Sequence, residues 1–109
     1  MAAANIIAVN EANYEQEVKN SAVPVLVDFW APWCGPCLQL GPTIDALAQE
    51  FDGRVKVCKI NTDEAINLAT QFNIQSIPSL VLIKAGKEVE RLIGARPKKA
   101  IAEWIESKI

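Results

Sequence analysis

The 109-residue chain has no histidine, only three cysteines, and 11 basic against 13 acidic residues, a formal charge of −2. Each scarcity excludes something. Three cysteines are too few, and odd in number, for the disulfide framework of a small secreted protein. The near-balanced charge gives no electrostatic footprint for nucleic acid or for an anionic membrane, so neither is expected as a partner. No apolar run approaches the ~18 residues that span a bilayer. The opening Met1-Ala2-Ala3-Ala4-Asn5-Ile6-Ile7 lacks the basic stretch and apolar core of a secretory signal. A cytoplasmic, reducing compartment is expected, or an organelle stroma if a transit peptide has been removed.

Half of the residues are apolar and 22% are charged, ordinary values for a water-facing globular protein. With no linker, repeat or low-complexity stretch, residues 1–109 are expected to form one domain that buries roughly two-thirds of its unfolded surface. Asn5 to Val9 reads as a first strand, and Asn10 as the cap of a helix through Lys19. Val23 to Phe29 is apolar on both alternating faces apart from Asp28, as in a central strand covered on both sides. The next helix carries Leu40, Ile44, Leu47, Ala48 and Phe51 at helical spacing, with Pro42 interrupting it.

A strand from Val55 to Asn61 follows the Asp52-Gly53 turn. Asp63 is positioned to cap a short helix carrying Ile66, Leu68, Ala69 and Phe72. Leu80 to Ile83 and Glu88 to Ile93 read as a hairpin across Lys84-Ala85-Gly86-Lys87. Pro97 suits the first position of a last helix, whose buried stripe is Ile101, Trp104, Ile105 and Ile109. The order is βαβαβαββα, an α/β fold with a mixed sheet of five strands flanked by four helices.

Chemistry concentrates in Trp33-Cys34-Gly35-Pro36-Cys37, where a strand gives way to a helix. Two cysteines three positions apart on a first helical turn are close enough to close a small disulfide ring. Cys34 then faces the unpaired N–H groups and positive end of the helix, a setting that favours an anion on its sulfur. Cys34 is the expected nucleophile of disulfide exchange, and Cys37, one turn deeper, the resolving thiol. A mononuclear zinc site needs four ligands, and beyond this pair the chain offers only Cys58. A cluster shared by two chains, each giving one Cys-x-x-Cys, stays chemically open.

Asp28 lies within Val25-Leu26-Val27-Asp28-Phe29-Trp30. Burial there raises its pKa and equips it to exchange a proton with Cys37; the plainer alternative is a strand-end carboxylate in water. Lys59, on the same alternating face as Val55 and Val57, can pair with Asp28 and moderate it, or simply be a surface lysine. Pro78, in Ile77-Pro78-Ser79 at a strand entrance, calls for a reason. A cis bond that holds the Ile77 backbone open to an extended substrate would supply one, although most such bonds are trans.

Val25-Leu26-Val27-Asp28-Phe29-Trp30-Ala31-Pro32-Trp33-Cys34-Gly35-Pro36-Cys37 resembles the signature of the thioredoxin family. Pro42, Lys59-Ile60-Asn61-Thr62-Asp63, Phe72-Asn73-Ile74, Ile77-Pro78, Gly86 and Gly94-Ala95 extend the resemblance from about Ile7 to Ile109. It implies the thioredoxin fold and a protein-disulfide reductase with no bound cofactor, working through a reversible Cys34–Cys37 disulfide. Its partners would be oxidised client proteins and a thioredoxin reductase linked to NADPH or ferredoxin; a monomer is expected. The resemblance also implies attack by Cys34, resolution by Cys37, proton transfer by Asp28 and a cis Pro78. It implies docking on Trp33, Gly35, Pro36, Ile77, Ile93, Gly94 and Ala95.

Three positions depart from that pattern. Leu38 stands where relatives commonly carry Lys or Arg, Ser79 replaces a frequent threonine, and Cys58 is extra, expected buried in its strand. The competing readings are an oxidant or isomerase of an exported compartment, and a non-catalytic binding subunit using the same apolar rim.

Overall fold

The computed structural model describes residues 5–109. The part of the domain and targeting readings that falls on residues 1–4 lies outside the described residues. Among the described residues five strands form one sheet: β1 (Ile7–Ala8), β2 (Val25–Trp30), β3 (Lys56–Asn61), β4 (Ser79–Lys84) and β5 (Lys87–Ile93). Three α-helices, α1 (Gly35–Glu50), α2 (Ile66–Gln71) and α3 (Lys98–Lys108), join a π-helical segment at Glu15–Lys19. The strand order is β1-β3-β2-β4-β5, with β1, β3 and β2 parallel and β4 and β5 antiparallel.

β2 is the centre of this sheet, which explains its composition. It pairs with β3 on one side and β4 on the other, and Val25 through Phe29 are all buried. Alternation divides its side chains between two cores. Leu26 joins Val57, Leu80 and Leu82 under α1 and α3, which contribute Ile44, Leu47, Phe51, Ile101 and Ile105. Val25, Val27 and Phe29 join Cys58, Ile60, Val81 and Ile83 on the opposite face, against Val18 and Leu68. The Phe29 and Phe72 rings stand 5.3 Å apart there. Each such aliphatic or aromatic side chain contributes about 1.5–3 kcal/mol on burial. Asp28 sits on the Leu26 side, beneath the start of α1. The β4–β5 turn, Ala85-Gly86, has positive φ at both residues (51° and 79°), the backbone that closes a two-residue hairpin.

Several boundaries differ from the sequence reading. β1 shrinks to two residues because it is an edge strand paired only with β3. Asn10 caps as expected: its side chain accepts the Ala12 N–H and Asn13 accepts its own N–H, both at 2.8 Å, while its carbonyl accepts the Tyr14 N–H at 3.0 Å. From that cap the chain runs through a turn over residues 11–13 before the π-helical Glu15–Lys19, so the regular part is shorter than the expected helix through Lys19. α1 runs unbroken through Pro42; Leu38, whose carbonyl loses its helical partner there, is an exposed residue. Pro97 is the cap of α3 rather than its first residue, and Ile109, past the last turn, is exposed instead of buried. Ile66 of α2 also points to water.

Candidate active site at the N-terminus of α1

The chain leaves β2 at Trp30 and turns through Ala31, Pro32 and Trp33 into Cys34, the N-cap of α1. Cys34 is extended (φ −90°, ψ 109°), and its sulfur accepts the Cys37 N–H at 3.3 Å. A sulfur thus takes the place usually filled by a Ser, Thr or Asp oxygen at a helix start. Pro36 fits in this first turn because its missing N–H would have had no intrahelical partner. The Cys34 N–H donates to Ala31 O at 3.1 Å, and the Cys34 Sγ lies 3.9 Å from the Ile77 carbonyl oxygen, to which its S–H can donate.

Both cysteines are free thiols, and so is Cys58. Exposure falls from 6% at Cys34 to 1% at Cys37 and 0% at Cys58. Cys34 is less open than its helix-mouth position suggested, because Ala31, Trp30 and Ile77 pack around the pair. It is nonetheless the most accessible of the three thiols. Burial, and next the hydrogen bond with Cys34, push the Cys37 thiol up to about 12; burial pushes Cys58 up to about 12 as well.

Asp28 is fully buried, which removes the strand-end reading, and neither carboxyl oxygen has a hydrogen-bond partner among the described residues. Desolvation raises its pKa to about 7, against the opposing pull of Lys59. The same carboxyl acts on Cys37, where its charge disfavours the thiolate. Lys59 is the direct register partner of Asp28 in β3, and its ammonium stands 4.6 Å from the centre of the Trp30 ring. It is half-buried at a cleft of about 520 Å³, shared with Ile6, Val9, Trp30, Asn61 and Glu64.

The third element is the rim. The Ile77–Pro78 bond is cis, Pro78 itself is buried, and its carbonyl accepts the Gly94 N–H at 2.8 Å. Only the half-buried Ile77 and its backbone face outward at that point, so Pro78 shapes the rim from beneath. Gly94 has φ +91°, a backbone that side chains rarely adopt, and Arg96 bonds the Ile93 carbonyl at 3.0 Å beside it. Trp33 (70% exposed), Gly35, Pro36, Ile93 and Ala95 complete the surface, with Leu38 (56% exposed) on the next helical turn.

Asp63 was misread. The cap of α2 is Ala65, and Asp63 instead accepts the Trp33 indole N–H at 3.0 Å. Its place just past the end of β3, level with the end of β2, was the available signal; its capping preference concealed it.

Comparison with known proteins agrees with this geometry. The family model described as Thioredoxin matches residues 5–107. Thioredoxin 1 of Nostoc sp. is 46% identical over 101 residues, covering 93% of this chain and 94% of the relative. A thioredoxin of Synechocystis sp. is 48% identical over 98 residues, covering 90% of this chain and 92% of the relative. The chloroplastic M-type thioredoxin of Spinacia oleracea is 51% identical over 98 residues, 90% of this chain and 54% of the relative. With the dithiol at the head of α1 and the whole sheet matched, this chain belongs to the thioredoxin family of protein-disulfide oxidoreductases.

Proposed function

We propose that the chain reduces disulfides in oxidised client proteins through Cys34 and Cys37, with Asp28 handling the proton. The carrying observation is one arrangement: the Cys34 sulfur capped by the Cys37 N–H, over a buried and unpartnered Asp28. The Cys34 thiolate attacks one client sulfur; the Cys34–client bond forms as the client disulfide breaks, and the departing thiolate takes a proton. Cys37 loses its proton and attacks Cys34. The Cys34–Cys37 disulfide forms, the mixed disulfide breaks, and the second client thiolate leaves. Two electrons have passed to the client.

Cys37 cannot serve as a nucleophile while protonated, and its surroundings hold the proton tightly. A carboxylate beside it, itself near neutrality, accepts that proton as the S–S bond forms. Lys59 modulates this carboxylate. The client binds as an extended segment against Ile77, over the cis Pro78, flanked by Trp33, Gly35 and Pro36 on one side and Ile93, Gly94 and Ala95 on the other. No side chain intervenes at Gly35, where a Cβ would meet nothing within 4 Å, so a client backbone can approach closely.

The oxidised chain is returned to the dithiol by a thioredoxin reductase linked to NADPH or ferredoxin. No helix among the described residues is long and apolar enough to cross a membrane. Cyanobacterial and chloroplastic relatives favour cytoplasm or stroma as the compartment. The chain works as a single-domain monomer. The test is insulin reduction with dithiothreitol as donor: turbidity should develop faster with the wild type and not with Cys34→Ser. Equal rates with and without the protein would reject the reductase reading.

A further inference from the structure

Asp28 and Lys59 are direct register partners on adjacent parallel strands, whose backbones lie roughly 4.8 Å apart, and they share one face of the sheet. Opposite charges so placed ordinarily pair. Here they do not: both Asp28 oxygens are unpartnered, and no carboxylate of the described residues forms an ion pair with Lys59. The ammonium lies instead over the ring of Trp30, two residues beyond Asp28 and so on the same side of β2.

We propose that Trp30 is a positioning residue, whose ring holds the Lys59 ammonium off the Asp28 carboxyl and keeps that base free for Cys37. This rests on the role of Asp28 given above. Over the ring, the cation gains the attraction of the π face while its other side stays wet, because Trp30 and Lys59 both line the open cleft. Closing an ion pair on a carboxyl with no exposure would strip that water away. Without the ring, that desolvation cost alone holds the lysine back from its register partner, across which the full attraction of the opposite charge acts. A closed pair would keep Asp28 as a bonded carboxylate, unable to take up the proton of Cys37.

Among the described residues the charged and titratable groups around the carboxyl are few. Lys59 faces it from β3 and Cys37 from α1, the β4 register partner is the neutral Leu80, and Glu64 shares the cleft with Lys59. The elevated pKa of Asp28, lowered only in part by Lys59, agrees with a cation held nearby but unbonded.

The experiment is a carbon-13 NMR titration of the Asp28 carboxyl in the reduced protein. Trp30→Leu should move its midpoint down by about one unit or more, as an opposite charge in contact does. Trp30→Phe, which keeps a ring face, should titrate as wild type, and Trp30→Leu combined with Lys59→Met should show no fall. An unchanged or raised midpoint in Trp30→Leu would overturn the proposal, as would an equal fall in the double variant. In the wild type, the Lys59 ε-methylene protons should be shifted upfield by the ring current; their absence from that region would overturn it without any variant. Asp28→Asn is the separate control. If it reduces clients as fast as wild type at every pH, the base reading fails, while the midpoints still decide the role of Trp30.

Discussion

The Trp33 indole N–H donates to both Asp63 carboxylate oxygens, at 3.0 and 3.3 Å, joining the loop before the dithiol to the segment after β3. Trp33 is otherwise mostly in water, so this bond fixes where a large aromatic surface stands beside Cys34. A hydrogen bond to a charged group is worth about 1.5–3 kcal/mol, less where exposed. Asp63→Ala should therefore release the ring, change Trp33 emission, and lower kcat/KM for protein disulfides by roughly three- to ten-fold, the equivalent of about 0.7–1.4 kcal/mol for a bond this exposed. Dithiothreitol, which needs no docking rim, should reduce the variant at the wild-type rate. Unchanged client kinetics would remove Trp33 orientation from the account.

Asp28 couples stability to pH. The unfolded chain releases this proton near 3.8, whereas the folded chain holds it to about 7. Between those values the folded state binds more protons, so stability falls as pH rises and the whole penalty is present above about 7. Asp28→Asn, which mimics the protonated acid, should be more stable than wild type by about 4 kcal/mol at pH 8 if each unit is worth about 1.4 kcal/mol. Below pH 4 the difference should vanish. Denaturant melts across this range read it directly, and a pH-independent difference would contradict the buried, unpaired carboxyl.

Leu38 sits four residues after Cys34, its N–H bonded to the Cys34 carbonyl at 3.1 Å, and its side chain is exposed. Helical side chains lean toward the preceding turn, so it overhangs the dithiol. Leu38→Lys should change stability by no more than about 0.5 kcal/mol. It should raise the ratio of rates for acidic over basic peptide disulfides by about two- to five-fold, an effect that fades in high salt. Equal ratios in both proteins would place Leu38 outside the client contact.

Cys58 should behave as an inert hydrophobe. It is fully buried, and its thiol is pushed up to about 12. Iodoacetamide at pH 8 should label Cys34 first and Cys58 only after unfolding, as peptide mass spectrometry can follow. Labelling of Cys58 in the native protein would contradict its burial.

The architecture was legible because β2 announced itself: an apolar run on both faces fits only a strand covered on both sides. The dithiol was legible because its glycine and proline suit a helix start. What escaped the sequence were side chains with two competing uses. Asp63 has a strong capping preference, yet tertiary contact with Trp33 decides its role. Lys59 could be assigned a face but not a partner, since the choice between Asp28 and the Trp30 ring depends on a cleft formed by β1 and β3 together. Ends of elements drifted too, as at Asn10, whose capping bonds form but lead through a turn into a short π-helical segment.

The division of labour between the two cysteines is the central claim, and trapping tests it most directly. Cys37→Ser, mixed with an oxidised client and analysed by non-reducing mass spectrometry, should accumulate a stable mixed disulfide through Cys34. Cys34→Ser should accumulate none. Accumulation through Cys37 in the Cys34→Ser variant, with none through Cys34, would contradict the account.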